Sequence, residues 1–307
     1  LYYTNLMNFC VFIRAKVSIK QNKALPLEIS LPNWVPGSYM IRDFSRHIIE
    51  INAFCDGKSA SLTQLNKNHW QTETLTGEWQ IYYTIYAFDL SVRSSFLSSE
   101  RGFFDGSCLF LQISGAEHLP HHIYIEGLPP RWQIASVLTQ CADNHFCAES
   151  YAELIDHPFE LGCFETLHFE AAGITHRIIL SGYYADFDRA RLVDDIRQIC
   201  TAELNNFPFP APFKKYTFFL YVGDNLYGGL EHRSSTALHA DRNSLPTYGL
   251  KEANEAYTQL LGLFSHEYFH AWNIKSIKPA LFIPYNLNQE TYTEQLWAFE
   301  GITSYYD

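Results

Sequence analysis

The spacing of apolar residues turns from a period of two to a mixture with a helical period near residue 185, and that change limits the fold more than any other feature. Near the start, Phe9, Val11, Ile13, Ala15, Val17 and Ile19 alternate with mostly polar neighbours. A period of two is the mark of a half-buried strand. Trp79 to Val92, Leu109 to Ile113 and Ile123 to Ile125 are rich in residues that favour strands. Pro36-Gly37, Asp56-Gly57, Asp105-Gly106 and Pro129-Pro130 punctuate them as turns. No helical period of useful length appears before about residue 185. From there Leu192, Val193, Ile196, Ile199 and Leu204 recur at helical spacing, with Asp186 or Asp188 placed to cap and Pro208, Pro210 and Pro212 to stop the helix. Tyr216 to Val222 reads as a strand, and Tyr257, Leu260, Leu261, Phe264, Tyr268 and Ala271 as a second helix. A last helix is expected from Glu290 or Thr291, carrying Leu296, Phe299 and Tyr306.

The chain therefore reads as multidomain α+β. An all-β domain, sandwich-like or a curved sheet, is expected over 1–175, and a mixed α+β domain over 176–307. Acidic residues outnumber basic by 33 to 22, which argues against partners such as nucleic acid or an anionic membrane surface. No apolar run approaches the ~20 residues of a membrane span. The seven Cys form no C-x-x-C pair, which argues against a disulfide framework and against a structural zinc site of Cys type. Reduced thiols and the lack of a convincing signal peptide favour a cytoplasmic location. The chain starts at Leu1 and stops at Asp307 inside a predicted helix, and it is read as a fragment of a longer protein.

The chemistry concentrates in Ser265-His266-Glu267-Tyr268-Phe269-His270, an H-E-x-x-H motif inside a predicted helix. A spacing of four puts His266 and His270 on one face, one turn apart, where two imidazoles can hold one Zn²⁺. Glu267 then lies within reach of a water at that ion, as general base. A catalytic zinc needs a third protein ligand. No third His follows at the metzincin spacing, so a Glu on a later helix is the alternative. Glu300 has Leu, Trp, Phe and Ile as near neighbours, which makes a solvated role a poor reading; Glu290 and Glu294 are rivals in more polar surroundings.

HEYFHAWNIKSIKP followed by LWAFEGITSYY resembles the glycyl aminopeptidase family of zinc metallopeptidases, gluzincins related to aminopeptidase N and leukotriene A4 hydrolase. The stretches Leu31 to Ile48, Val92 to Leu111 and Gly228 to Ser235 are similar to further signatures of that family, so the resemblance spans most of the chain. It implies a β-rich N-terminal domain, the start of a thermolysin-like catalytic domain, and a C-terminal part with a PDZ-like domain beyond this sequence. It implies release of small N-terminal residues such as Gly or Ala from a peptide with a free N-terminus. Carried over by position, His266, His270 and Glu300 are ligands of one Zn²⁺ per chain, and Glu267 is the general base.

GGLEH looks like the G-x-M-E-N stretch of the aminopeptidase N group, which implies that Glu231 holds the substrate ammonium by a charge-assisted hydrogen bond. Gly228 and Gly229 would let substrate approach an edge strand. His232 stands where the related group has Asn. Thr303, Ser304 and Asp307 are candidates to orient a ligating His. Tyr305 and Tyr306 read as core aromatics, and Lys275 and Lys278 as surface residues. No residue is assigned to stabilise the oxyanion. Two other readings stay open: epoxide hydrolysis on the same scaffold, and a non-catalytic zinc- or peptide-binding relative.

Overall fold

A computed structural model describes residues 1–6, 11–249 and 252–307. Phe9 and Cys10, read above as strand and thiol, lie outside the described residues. The chain forms two compact units: Leu1–Gly162 with Asn286–Glu290, and Cys163–Tyr285 with Thr291–Asp307. The first divide falls between Gly162 and Cys163 rather than at 175/176, because the hairpin that follows pairs into the second unit's sheet.

The first unit is built on an eight-stranded sheet. Its strands are β1 (Tyr2–Leu6), β2 (Phe12–Leu25), β3 (Ile48–Cys55), β4 (Lys58–Ala60), β5 (Leu75–Tyr86), β6 (His121–Glu126), β7 (Thr139–Ala142) and β8 (His145–Ala148). Their order is β7-β8-β6-β1-β2-β5-β3-β4. Two four-stranded sheets complete the unit. The period-two pattern is realised in β2, where Ile13, Ala15 and Val17 are buried and Arg14 is exposed. On β5, Trp79, Ile81, Tyr83 and Ile85 point inward in the same alternation. The expected strand over Leu109 to Ile113 shrinks to Gln112–Ile113 after a short 3-10 helix at Gly106–Cys108. Leu109, Phe110 and Leu111 are buried core side chains without strand pairing, and a short apolar run does not distinguish the two. Asn286–Glu290 joins this unit through Asn33 Nδ2, which donates to Asn288 O at 2.9 Å, and Trp34 Nε1, which donates to Asn286 O at 2.8 Å.

The seven-thiol reading is overturned at one pair, since Cys141 and Cys147 form a disulfide. Spacing along the chain gave no hint of it. A bulge in β7 at Cys141 turns that residue toward Cys147 on β8.

The second unit holds a five-stranded sheet: β9 (Glu165–Ala171), β10 (Ile174–Gly182), β11 (Lys215–Gly223), β12 (Tyr227–Glu231) and β13 (Ser235–Asp241), in the order β9-β10-β11-β13-β12. Strands β10, β11 and β13 run parallel, and β12 is an antiparallel edge. Three helices accompany it: α1 (Arg189–Asn206), α2 (Glu255–Phe269) and α3 (Leu296–Tyr306). Asp188 caps α1 by accepting from Arg191 N at 3.1 Å, and Asn254 caps α2 by accepting from Tyr257 N at 2.9 Å. Helix α3 starts at Leu296, later than Glu290 or Thr291, and its first residue has no side-chain cap.

The helical stripe of α2 (Tyr257, Leu260, Leu263, Phe264, Tyr268) packs into one core with Phe218, Leu220 and Leu238 of the sheet and Leu192, Ile196 and Cys200 of α1. Each such fully buried side chain contributes about 1.5–3 kcal/mol of transfer free energy. That anchors the helix carrying H-E-x-x-H against the sheet. No helix among the described residues is long and apolar enough to cross a membrane.

Candidate metal centre and active site

Helix α2 ends at Phe269, and His270 is its C-cap with helical backbone angles. His266 and His270 therefore stay one turn apart on one face, and their Nε2 atoms approach to 3.1 Å. Glu300, one turn into α3, brings Oε2 to 3.4 Å from His266 Nε2 and 3.7 Å from His270 Nε2. Glu290 and Glu294 are exposed. Leu296, Trp297 and Ile302 are exposed too, so apolar neighbours are not what sets Glu300 apart. Its place opposite the two imidazoles is.

The outer ring nitrogens decide what this triangle can hold. His266 Nδ1 meets Asp307 Oδ2 at 2.9 Å, and His270 Nδ1 meets Asn273 O at 3.1 Å. A carbonyl only accepts, and an ionised carboxylate only accepts, so both Nδ1 atoms carry the proton. In neutral rings the two Nε2 lone pairs then face each other and a carboxylate oxygen. Three converging lone pairs repel unless a cation sits among them. The 3.1 Å separation fits two nitrogens bonded to one ion at about 2.0–2.1 Å in tetrahedral geometry, for which the edge is about 3.3 Å. The residues present therefore fit a zinc-class metal.

The carboxylates around the two imidazoles favour positive charge there. Burial lowers the His270 pKa, but Glu231, Glu300 and Glu267 outweigh it and raise it to about 9. Burial likewise raises that of Glu300, but the two imidazoles outweigh it and hold it down at about 2.

Glu267 is buried beside this triangle, and its neighbour is Gly229 on the edge strand β12. A Cβ at position 229 would overlap Glu267 Oε1 and lie 2.5 Å from its Cγ. The glycine makes room for the carboxylate, where the sequence suggested room for substrate. Gly228 has a φ of 153°, and nothing lies within 4 Å of where its Cβ would be. Carboxylate oxygens of Glu231 and Glu267 and a ring nitrogen of His270 lie within 4.8 Å of one another. Glu231 is 3% exposed, and its Oε1 has no hydrogen-bond partner among the described residues. A buried, unpaired carboxylate oxygen is costly unless a ligand satisfies it.

Asn273 was missed in the sequence. Its Nδ2 reaches the carbonyls of Ala298 and Phe299 at 3.0 and 3.2 Å and Thr303 Oγ1 at 3.1 Å. One residue thus orients His270 through its backbone and ties α2 to α3 through its side chain. Glu203 on α1 was missed too; its Oε1 accepts from Ser265 Oγ at 2.9 Å, and burial pushes its carboxyl well above the usual range. An Asn three residues after a His carries no signal in one sequence. Of the three candidates to orient a ligand, Asp307 meets His266, Thr303 Oγ1 lies 3.5 Å from His270 Nδ1, and Ser304 is exposed. Tyr305 and Tyr306 are 80% and 53% exposed, not core. Lys275 is buried rather than on the surface, while Lys278 is half-buried with its Nζ over the Tyr285 ring. His232 is fully buried.

The Peptidase M61 N-terminal domain matches residues 11–163, and the M61 glycyl aminopeptidase domain matches residues 259–307. The chain belongs to the M61 glycyl aminopeptidase family. The family is one of metallopeptidases, so its members are hydrolases and a metal cofactor is implied. The first match covers most of the first unit, and the second covers the H-E-x-x-H motif and Glu300. An aminopeptidase N family protein from Idiomarina loihiensis is 40% identical, with a TM-score of 0.94 over 99% of this chain. The present chain spans about half of that protein, 53% of its length. An M1 zinc metallopeptidase from Deinococcus radiodurans aligns at 10% identity and a TM-score of 0.48, over 87% of this chain and 62% of its own. No curated protein matches the chain.

Proposed function

We propose that the protein is a zinc aminopeptidase that removes small N-terminal residues, Gly or Ala, from peptides with a free N-terminus. The observation that carries the reading is the buried, unpartnered Oε1 of Glu231 set beside Glu267 and His270. A carboxylate so placed is suited to a substrate ammonium.

In this reading His266, His270 and Glu300 hold one zinc per chain. When bound, zinc supplies Lewis-acid polarisation of the scissile carbonyl and makes a water more acidic. Glu267 accepts the proton of the attacking water at its carboxylate and delivers it to the leaving amine nitrogen. Glu231 accepts hydrogen bonds from the substrate ammonium and so fixes which peptide bond lies under attack. Gly228, with open space above it, lets the substrate backbone lie close to the edge strand. Gly229 leaves the space in which the Glu267 carboxylate sits. Asp307 and Asn273 hold the protons on the outer nitrogens of His266 and His270, which keeps both Nε2 lone pairs directed inward. A cytoplasmic setting belongs to the same proposal and rests on the four free thiols among the described residues, with the Cys141–Cys147 disulfide against it.

The test is hydrolysis of glycyl- and alanyl-anilides by zinc-loaded protein, wild type against Glu267→Gln. A loss of about 10²–10⁴-fold with zinc retained is expected for removal of a general base. Equal rates would refute the mechanism. An N-acetylated substrate cleaved as fast as the free amine would refute the role of Glu231.

A further inference from the structure

The edge of the first unit's large sheet carries a second cluster of metal-binding side chains. Strands β6 and β8 are antiparallel neighbours, with His122 opposite Cys147 and Tyr124 opposite His145. His121, Ile123, Phe146 and Ala148 point into the core, so His122, Tyr124, His145 and Cys147 share the outer face. His145 stacks on Tyr124 with ring centroids 4.2 Å apart, which fixes its plane. His122 Nδ1 lies 3.1 Å from His145 Nε2. Cys147 Sγ lies 3.4 Å from the first nitrogen and 3.6 Å from the second.

Those three distances are the edges of a coordination tetrahedron. Bonds of about 2.0–2.1 Å to nitrogen and about 2.3 Å to sulfur give edges of about 3.3 Å between nitrogens and about 3.6 Å between nitrogen and sulfur. The fourth donor is at hand. Cys141, the exposed bulge residue of β7, is disulfide-bonded to Cys147, with the two Cα atoms 6.3 Å apart.

We propose that reduction of the Cys141–Cys147 disulfide converts this edge into a tetrahedral site for a soft divalent cation of the zinc class, held by His122 Nδ1, His145 Nε2 and both thiolates. A dithiol reductant supplies the two electrons. The S–S bond breaks, the reductant closes to its own disulfide, and its two protons pass to solvent as the cation takes the two thiolates. Two thiolates and two imidazoles select zinc-class ions over magnesium or calcium. The site is separate from the His266, His270 and Glu300 triangle, which contains no sulfur. Its effect is local: an ion would tie β7, β8 and β6 together at the end of the sheet in the reduced state, as the disulfide ties β7 to β8 in the oxidised one.

Cobalt(II) titration of the whole chain separates the two sites, because only thiolate ligation gives a sulfur-to-cobalt charge-transfer band in the near ultraviolet. The oxidised chain should bind one equivalent and show no such band. The chain reduced and then freed of reductant without air should bind a second equivalent and show it. Cys141→Ser and Cys147→Ser should each weaken the band and move its half-saturation to higher cobalt, the double serine variant should abolish it, and His122→Ala and His145→Ala should shift its half-saturation to higher cobalt. Cys141 is exposed and the other three are half-buried, so circular dichroism of each variant should match wild type. No band from reduced, folded wild type would overturn the proposal. A band of full intensity in either single serine variant, one that survives the double serine variant, or one that saturates unchanged in both histidine variants, would also overturn it.

Discussion

Gly229→Ala tests how Glu267, the proposed general base, is held. The added Cβ would overlap Glu267 Oε1 and lie 2.5 Å from Cγ, whereas ordinary contacts begin at 3.4 Å. The Cγ must therefore retreat by 0.9 Å or more, and the carboxylate beyond it further. Glu267 is 6% exposed and anchored on α2, so the shift falls on its side chain, not on the helix. A misplacement of about 1 Å costs on the order of 100-fold in rate. The three proposed metal ligands are not among the atoms the new methyl meets, so the proposed content of one zinc per chain should not change. Crowding a buried side chain costs about 1–3 kcal/mol, offset in part by the ~0.5–1 kcal/mol that alanine gains over glycine in a strand, so a loss of up to about 2.5 kcal/mol is expected with the fold retained. The assay is kcat on glycyl-anilide beside zinc content and a urea midpoint. A kcat within threefold of wild type, with zinc retained, would refute the argument that Gly229 positions Glu267.

Three further outcomes are expected. Asp307→Ala should weaken zinc binding about 10- to 100-fold by freeing His266 Nδ1, with the fold intact; competition with a fluorescent chelator reads it, and unchanged affinity would remove Asp307 from the site. In the disulfide-intact chain, zinc at 100 times its Kd should stabilise the fold by about 2.7 kcal/mol, and His266→Ala should remove that gain. Calorimetry with and without zinc reads it, and an equal gain in the variant would place the ion elsewhere. His176 sits under the core, with Nε2 2.8 Å from Tyr268 Oη, and burial holds its pKa below the ordinary imidazole value. The unfolded chain therefore binds the proton more readily, so its contribution is complete above pH of about 6.5 and declines as pH falls below that. His176→Gln should flatten this part of the urea-midpoint profile between pH 7 and 5. An identical slope in the variant would contradict the assignment.

Much of the site was legible because it is local. His266, Glu267 and His270 fall within five residues of one helix, and helical geometry alone puts the two imidazoles on one face. The strand pattern of β2 and β5 and the cap of α1 follow from side-chain alternation and a single Asp. The errors came where several short-range signals agree with more than one outcome. Residues 109–111 serve the core without strand pairing, and only Gln112–Ile113 form a strand. The last helix starts later than its composition suggests, because no capping side chain marks its N-terminus. Tyr305 and Tyr306 are aromatic yet exposed, since only Phe299 and Thr303 of α3 face inward.

The sequence by itself determined that the chain changes from strand to helix, that one helix carries an H-E-x-x-H motif, and that a carboxylate is the expected third member. Tertiary structure decided which carboxylate faces the two imidazoles, by laying α3 across the C-terminal end of α2 and clamping it there with Asn273. It also decided what Gly229 is for, because only sheet pairing brings the edge strand under Glu267. It alone set His122, 25 residues before Cys147, opposite that sulfur. The reason is the same in each case. Helical and strand periods fix directions within an element, whereas contacts between elements depend on register and packing that no spacing along the chain encodes.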